Sequence, residues 1–473
     1  MEFKKTKVAL LMPEFKTGFA LNSAPLGLSY IGAILTNNHF FTRGYNLQYD
    51  RNIPIKAFKL IGISATSAMI AAANQLAKQI KKLNPEAYLV IGGAHATALG
   101  KRVLMENPIF DSAIIKEGEY PMLALAESLE RDKNNLAHIP NLIYRQRGKI
   151  YQNQEFYFTK NLDDLPYPAK KIFNTNRYPD PIQAYGDIIA SRGCPFKCSN
   201  CKPGLDNISP YRLRNYRKVV DELEYCLKTY RVKHFTFSDS ELAGPKKWVI
   251  NFCQEIIDRN LKITFSCNGR TDQVDEEVLR YLKRAGCVFI GYGVESGSDK
   301  VLDQILKKGI NLEQTKKIID QTVKIGIGTG TWFMIGVPGE TKADVEKSIE
   351  FAKQLNASTI EINIATPWPD TGFYKIAKNN GWLTTEKWQD YNEKNTSVIN
   401  NPAFPPLEII RTFNLFKKKM AQAGWRVDEK NNRMYHPKFL SRLIKLNIIQ
   451  VLKRGLSKSD LIKIKNLLIK KHL

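Results

Sequence analysis

The sequence contains few cysteines for its length, seven in 473 residues, and they are spread too unevenly to form a disulfide framework. Three of them, Cys194, Cys198 and Cys201, lie within eight residues. The other four fall in segments that we interpret as packed core: Cys226, Cys253, Cys267 and Cys287. This usage predicts a reducing cytoplasm and a metal site rather than a secreted, cross-linked protein.

Long apolar runs are also missing, and the sequence has no stretch near the ~20 apolar residues that a membrane span requires. The N-terminal apolar run, Val8–Met12, suits a buried strand and not a signal peptide. Low-complexity tracts and internal repeats are lacking as well. We therefore expect a globular protein, which at this length divides into two to four domains.

Acidic residues are in short supply, since 46 Asp and Glu face 71 Lys and Arg, giving a net charge of +25. Such an excess favours nucleic acid, anionic lipid or an acidic protein as a partner, although solvated surface lysines are the plain alternative. From residue 411 to 473 there are 17 basic and three acidic residues. Nucleic acid is disfavoured because no recognisable RNA-binding module follows the predicted barrel.

Residues 1–135 alternate predicted strands and helices, which indicates a doubly wound parallel sheet with ligands beyond the carboxyl ends of its strands. The predicted elements are strands at Val8–Met12, Leu60–Ser64, Tyr88–Ile91 and Ala113–Lys116, and helices at Leu26–Leu35, Met69–Leu83 and Pro121–Leu129.

The periodicity changes over residues 136–184, which read as a hairpin followed by a proline-containing linker. Residues 185–400 then show six strand–helix units, as in a partial parallel barrel with its chemistry at the strand C-termini. The six strands are predicted near Asp187–Ala190, His234–Ser238, Ile263–Cys267, Val288–Val294, Gly330–Ile335 and Thr359–Ile364. Residues 401–473 are expected to be helical and basic. The fold class is therefore α/β, with a Rossmann-like domain, a partial (β/α)₆ TIM-type barrel and a helical C-terminal region.

The strongest local signal is the Cys-x₃-Cys-x₂-Cys spacing of Cys194, Cys198 and Cys201, in a loop directly after a predicted strand. Three thiolates on an iron–sulfur cube leave one iron open to another ligand. A closed zinc site is the competing interpretation, but it needs four ligands, and Cys226 and His234 lie in a predicted helix and strand.

These residues resemble the signature of the radical S-adenosylmethionine (radical SAM) superfamily. Over about residues 5–440 the chain resembles the members with an N-terminal cobalamin-binding-like domain, a group that contains the anaerobic magnesium-protoporphyrin ester cyclase and the hopanoid methylases. The resemblance implies that a [4Fe–4S] cluster chelates S-adenosylmethionine through its open iron. One electron then cleaves the cofactor to methionine and a 5′-deoxyadenosyl radical, which abstracts hydrogen from an unactivated carbon.

The resemblance also implies S-adenosylmethionine contacts at successive strand ends. Phe196 is a candidate to cover the adenine, with loop packing as the alternative. Ser238 and Asp239 fall where the methionine amino group binds, although a helix cap suits Asp239 equally. The remaining candidates are Asn268 and Arg270 (the latter for the methionine carboxylate), Glu295 for the ribose, and Ile335 in the adenine-contacting segment.

Cobalamin is expected against the small residues Ser64, Thr66, Gly92 and Gly93, since glycine permits close backbone approach. The Asp-x-His-x-x-Gly motif, whose histidine binds cobalt, is absent from the sequence. His39 follows the first helix and so points the wrong way. His95 is a second candidate, although a hydrogen-bonded structural role is the commoner one for a single histidine.

Methyl transfer from cobalamin to an unactivated carbon is the favoured function. The alternatives are ring closure, rearrangement or oxidation by the same radical chemistry with a vestigial cobalamin domain, and a non-enzymatic electron carrier. A flavodoxin or ferredoxin is the expected electron donor. Residues 435–473 read as a basic amphipathic helix pair, which predicts peripheral binding to the inner face of the membrane and a lipid or other small-molecule substrate.

Overall fold

The computed structural model describes residues 4–14, 22–131, 135–201, 210–429 and 431–437. It contains two large sheets and two corresponding hydrophobic cores. In the first sheet the parallel strands are buried along most of their length, as expected where helices cover both faces. In the second sheet, buried and partly exposed residues alternate along several strands.

The first sheet has seven strands in the order β2-β1-β3-β4-β5-β6-β7, parallel from β2 to β5 and antiparallel thereafter. Its elements, in chain order, are β1 (Lys4–Met12), α1 (Leu26–Asn37), β2 (Phe40–Asn46), β3 (Leu60–Ser64), α2 (Ile70–Leu83), β4 (Tyr88–Gly92), α3 (Ala94–Leu99), α4 (Arg102–Glu106), β5 (Ser112–Ile114), α5 (Glu119–Glu130), β6 (Leu142–Gln146) and β7 (Lys149–Gln152).

Two features form the edges of this sheet. The edge strand β2 begins three residues after α1 ends, because His39 adopts a left-handed conformation (φ 64°) that turns the chain sharply. The predicted hairpin forms at Arg147 and Gly148, both at positive φ as a tight primed turn requires. It pairs with β5 and so extends the first sheet beyond residue 135.

Residues 153–186 connect the two sheets through four single turns of 3₁₀ helix. The ammonium of Lys170, only 2% exposed, donates hydrogen bonds to the carbonyls of Tyr185 (2.8 Å) and Asp187 (2.5 Å). Because Asp187 opens the first strand of the second sheet, this buried lysine fixes the linker to the barrel.

The second sheet follows the order β16-β17-β15-β14-β13-β12-β11-β8, and its six strands from β15 to β8 are parallel, as the sequence predicts. Its elements, with a separate ribbon β9–β10, are β8 (Asp187–Ile188), β9 (Ser191–Arg192), β10 (Arg212–Leu213), α6 (Tyr216–Tyr230), β11 (His234–Phe237), α7 (Lys246–Asp258), β12 (Thr264–Gly269), α8 (Glu276–Arg284), β13 (Cys287–Glu295), α9 (Leu312–Ile325), β14 (Gly328–Ile335), α10 (Lys342–Gln354), β15 (Thr359–Ile364), α11 (Gly372–Asn379), α12 (Pro406–Gln422), β16 (Arg426–Asp428) and β17 (Arg433–Tyr435).

The C-terminal region differs from the expectation of helix alone. After α12, the strands β16 and β17 form an antiparallel hairpin that covers the edge of β15. Pairing an exposed edge strand satisfies its backbone groups, a tertiary demand that helical periodicity does not show. The predicted amphipathic pair was assigned to residues 435–473, of which 438–473 lie outside the described residues. Among the described helices, none has the length and apolar character needed to cross a bilayer.

Candidate functional site

The three clustered cysteines lie on the loop that leaves the barrel at β9 and returns at β10, two strands that pair antiparallel. All three cysteines are partly exposed, in contrast to the four buried cysteines of the core. The Cys201 N–H donates to the Cys198 carbonyl (3.1 Å), and the Ser199 N–H donates to the Leu306 carbonyl (2.9 Å). The loop is thus folded on itself and attached to the barrel.

Over the described ranges, no three His, Cys, Asp or Glu side chains converge closely enough to hold one ion. The thiolates of an iron–sulfur cube bind different irons and therefore stand apart from one another.

Arg270 connects this loop to the end of β12. Its guanidinium stacks on the Phe196 ring at 3.8 Å from the centroid, and its Nη1 donates to the Cys198 Sγ at 3.5 Å. It also forms two 2.9 Å bonds to the Asp272 carboxylate and donates to the Lys308 carbonyl (2.6 Å). Phe196 thus packs against the guanidinium of Arg270, and that guanidinium is already paired with the Asp272 carboxylate.

The end of β11 carries two acidic residues with different surroundings. Asp239 is buried, and its carboxylate accepts hydrogen bonds from the Ala190 N–H (3.0 Å) and the Ser191 hydroxyl. Burial raises the pKa of Asp239 to about 6 despite these bonds. Asp239 therefore fixes the start of the cysteine loop, while Ser238 is exposed beside it.

Glu241, two residues further, is the carboxyl that the sequence analysis missed. It is 3% exposed, and neither oxygen has a hydrogen bond within the described part of the chain. Burial raises its pKa to about 8, opposed by the nearby charge of Arg270. The signal in the sequence was the second acid of the Asp239-Ser240-Glu241 segment, which a single-site assignment at Asp239 overlooked.

Glu295 ends β13 in a left-handed conformation (φ 71°), and its carboxylate pairs with the Lys308 ammonium at 2.9 Å. Lys308 thereby joins two predicted site residues, since its carbonyl accepts from Arg270. Asn268 lies at the end of β12, where its amide donates to the Asp239 carbonyl (3.2 Å). Arg270, Glu295 and Asn268 are therefore brought to one end of the barrel, as parallel strands require.

A cavity of about 300 Å³ lies among the ends of β13, β14 and β15. Asn200 of the cysteine loop and Asn363 of β15 line it, and the side-chain oxygen of each is buried without a hydrogen bond among the described residues. Glu295 and Met334 also line it, whereas Ile335 does not. Ile335 is fully buried in the barrel core because side chains alternate along a strand. Of these two adjacent residues, only Met334 faces the cavity.

A second cavity, of about 400 Å³, opens at the carboxyl ends of β1, β3, β4 and β5. Ser64, Gly92 and Gly93 line it as predicted, but Thr66 does not and is exposed. Gly93 has φ 92°, and a Cβ there would lie 2.8 Å from the Ala65 carbonyl oxygen. The pocket wall therefore depends on a residue without a side chain.

Neither candidate histidine lines this second cavity. His39 is exposed at the turn before β2, at the opposite end of the sheet, as expected. His95 is fully buried, with its Nδ1 2.9 Å from the Ser67 hydroxyl and its ring edge-on to Trp388. This is the structural role that the sequence analysis weighed for His95.

The second cavity is also lined by charged residues that sequence reasoning missed, namely Glu117, Glu119 and Arg192. Arg192 belongs to β9, two residues before Cys194, and its Nη2 donates to Glu119 at 2.6 Å. Only the tertiary structure pairs the Glu117-Gly118-Glu119 segment with the barrel.

Comparisons with known proteins agree with this geometry. Residues 188–352 match the Radical SAM superfamily, and residues 19–126 match the B12 binding domain. The chain is 29% identical over 399 residues to an uncharacterized methyltransferase of Pyrococcus horikoshii, covering 82% of this chain and 86% of that protein.

Two further known proteins are similar to this chain. The anaerobic magnesium-protoporphyrin IX monomethyl ester cyclase of Rubrivivax gelatinosus is 29% identical over 325 residues, which cover 67% of this chain but only 58% of the cyclase. The radical S-adenosylmethionine methyltransferase TsrM of Kitasatospora setae, solved with cobalamin and a [4Fe–4S] cluster, superposes with a TM-score of 0.67 at 18% identity. That match covers 91% of this chain and 84% of TsrM. The chain therefore carries a radical SAM domain with a B12-binding domain ahead of it.

Proposed function

We propose that this protein is a cobalamin-dependent radical SAM methyltransferase that acts on an unactivated carbon. One observation carries the proposal: the three partly exposed thiols and the glycine-walled pocket are joined by Arg192, which lines the pocket and lies two residues before Cys194. Methyl transfer is favoured over other radical outcomes by the relatives named methyltransferases.

Cys194, Cys198 and Cys201 are the residues that would hold a [4Fe–4S] cluster. When bound, the cluster would supply the electron that cleaves S-adenosylmethionine, and cobalamin would supply the methyl group. Arg270 supports this site by placing its guanidinium 3.5 Å from the Cys198 sulfur. Phe196 holds the guanidinium in place from its other face.

Around S-adenosylmethionine, the residues that would bind are those with unsatisfied or accessible polar atoms. Glu241 replaces Asp239 as the carboxylate for the methionine ammonium, because Asp239 is already engaged. Glu295 remains the candidate for the ribose hydroxyls, and Asn200 and Asn363 offer acceptors to the adenine amino group. Asn268 and Ser238 lie at the ends of two neighbouring strands and remain candidates for further contacts to S-adenosylmethionine.

The pocket of the N-terminal domain is the candidate cobalamin site. It fits a cofactor that approaches the backbone closely, since two successive glycines, Gly92 and Gly93, and the small side chain of Ser64 line the same wall. Because neither His39 nor His95 lines the pocket, we infer that cobalt receives no imidazole from these residues.

A second function uses the same radical chemistry for ring closure, rearrangement or oxidation, with a vestigial cobalamin domain. The relatedness to an ester cyclase favours this alternative, although that relationship covers only part of the cyclase.

Radical SAM enzymes require an electron donor and act on small molecules. We propose that the donor is an acidic flavodoxin or ferredoxin, which a net charge of +25 would attract.

We also propose that the basic C-terminal segment binds anionic membrane surfaces and that the substrate is a lipid. The support is the sequence pattern of residues 438–473 alone. Co-sedimentation with anionic vesicles, comparing the full chain with one ending at Gly455, tests this. Full-length protein that stays in the supernatant would end this part of the proposal.

The function itself is tested with S-adenosylmethionine carrying a ¹³C-methyl group. Reconstituted enzyme, hydroxocobalamin, a low-potential reductant and candidate extracts should yield 5′-deoxyadenosine together with a product that gains the labelled methyl. 5′-Deoxyadenosine with an unlabelled, modified product would favour the alternative function. No 5′-deoxyadenosine would contradict both.

A further inference from the structure

The base of the cysteine loop is closed by the two-residue ribbon β9–β10. Arg192 stands directly opposite Arg212 across this ribbon, and Ser191 stands opposite Leu213. The chain leaves at Arg192, carries all three cysteines, and returns at Arg212. The position of the loop therefore depends on two adjacent arginines.

Two like charges placed opposite each other destabilise an antiparallel pair. Both arginines are also poorly hydrated, because their side chains are only 15% and 11% exposed. The ribbon is too short to overcome this repulsion by its own backbone pairing, so the charges must be neutralised from outside.

The neutralising carboxylates come from the N-terminal domain. Glu117 accepts from the Arg212 guanidinium (2.5 Å to Nη2, 3.3 Å to Nη1) and from the Thr159 N–H (2.7 Å), and it lies 3.5 Å from Arg192. Glu119 pairs with Arg192 at 2.6 Å. Burial acts to raise the pKa of Glu117, but the Arg212 hydrogen bond and the Arg192 charge outweigh it, so that the pKa lies below its usual value.

An alternative account exists for Glu119, because it begins α5 and an acidic first turn suits the helix dipole. Glu117 precedes the helix, so that account does not extend to it. The pairing of Glu117 with both arginines therefore carries the argument.

We propose that Glu117 and Glu119 are positioning residues that form an ionic latch, through which the N-terminal domain holds the base of the cysteine loop. The latch consists of Glu117, Glu119, Arg192 and Arg212. It deepens the proposed function and rests on it only for the identity of the cluster, because the contacts themselves do not involve iron. The carboxylates that line the cobalamin pocket thereby also set the position of the thiols.

The first test compares full-length wild type with Glu117→Gln, which keeps the shape of the side chain but removes its charge. In reconstituted protein, a chelator should strip iron from the variant about tenfold faster, as expected when a buried ion pair loses one partner. In the chain purified without iron, amide hydrogen exchange of peptides covering residues 191–201 should accelerate by a similar factor.

Glu127→Gln is the matched control, since Glu127 lies on α5 but forms only a half-exposed pair with Lys4 at 3.5 Å. It should leave both rates unchanged. Glu119→Gln removes only the pair with Arg192 and should accelerate iron release and amide exchange by a smaller factor. If Glu117→Gln does not fold, Glu119→Gln provides the test instead. The double variant Glu117→Gln/Arg212→Gln should lose less than the single losses combined, since it also removes one of the repelling charges.

Exchange and iron release at the wild-type rate in Glu117→Gln would overturn the latch, as would an equal effect of Glu127→Gln. Wild-type protein that takes up no iron would instead contradict the proposed function. In that case the exchange measurement still decides whether the latch exists.

Discussion

At the scale of single residues, burial separates the seven cysteines by role. The thiols of Cys226, Cys253, Cys267 and Cys287 are buried in the barrel core, and burial raises the pKa of Cys226 to about 11. Such thiols stay protonated and act as small apolar side chains. The three loop cysteines are partly exposed and closely spaced, and Cys198 also contacts the Arg270 guanidinium, which makes them the candidates for cluster ligands.

Alanine variants at Cys194, Cys198 and Cys201 should each lose most of the iron and the brown absorbance of reconstituted protein, because a cubane bound by two thiolates is poorly held. Alanine at Cys226 or Cys253 should keep the iron and cost about 1–2 kcal/mol of stability through the lost packing. Iron and sulfide analysis, with thermal unfolding, separates the two groups. Full iron content in a variant lacking all three loop thiols would refute the site.

The two acidic residues after β11 should give opposite phenotypes. Glu241→Gln should weaken S-adenosylmethionine binding about tenfold while iron content stays normal, since glutamine cannot supply the negative charge that the carboxyl would acquire on pairing with an ammonium. Asp239→Asn should lower iron retention first, because Asp239 holds Ala190 and Ser191 at the start of the loop. Equilibrium binding of S-adenosylmethionine and iron analysis distinguish them. The reverse pattern would indicate that Asp239, and not Glu241, binds the methionine ammonium of S-adenosylmethionine.

At the scale of elements, the loops that follow the strands carry the function, and their glycines set how closely a ligand can approach. Gly93 and Gly27 both line the N-terminal pocket, yet their surroundings differ. A Cβ on Gly93 would meet backbone at 2.8 Å, and its φ of 92° disfavours any side chain. A Cβ on Gly27, in the first turn of α1, would have no atom within 4 Å.

Gly93→Ala should therefore cost about 1–3 kcal/mol of stability from the backbone conformation alone and weaken hydroxocobalamin binding. Gly27→Ala, the control, should fold with equal or slightly greater stability, because alanine favours a helix over glycine by up to about 1 kcal/mol. Denaturant unfolding and cobalamin titration measure both effects. Normal cobalamin affinity in a folded Gly93→Ala protein would contradict the assignment of this wall.

At the scale of the whole molecule, the net charge of +25 shapes how partners reach the barrel. If an acidic flavodoxin delivers the electron, long-range attraction raises the encounter rate. Salt screens this attraction at separations beyond the Debye length, which is about 10 Å at 0.1 M. Turnover with flavodoxin should then fall steeply as salt rises, while turnover with dithionite should change little. Equal salt sensitivity with both reductants would argue against electrostatic docking.

Much of the architecture was accessible from the sequence because strand and helix periodicities are local. All six barrel strands and the strands β1, β3, β4 and β5 were predicted close to their observed positions. The position of β2 and the existence of β16 and β17 were less accessible: β2 begins only three residues after α1 ends, and β16 and β17 pair with the edge of β15. Edge pairing depends on a neighbour distant in the chain, and so leaves little local pattern.

The sequence by itself determined the fold class, the loop of Cys194, Cys198 and Cys201, and the end of the barrel at which the candidate residues meet, because spacing and strand direction fix these. Only the tertiary structure decided which side chains are already engaged. Asp239, Arg270 and His95 proved to have partners within the chain, while Glu241 proved to have an unsatisfied carboxyl. The latch between Glu117 and Arg192 was hidden for the same reason: hydrogen bonds and ion pairs between distant segments follow from packing, not from spacing.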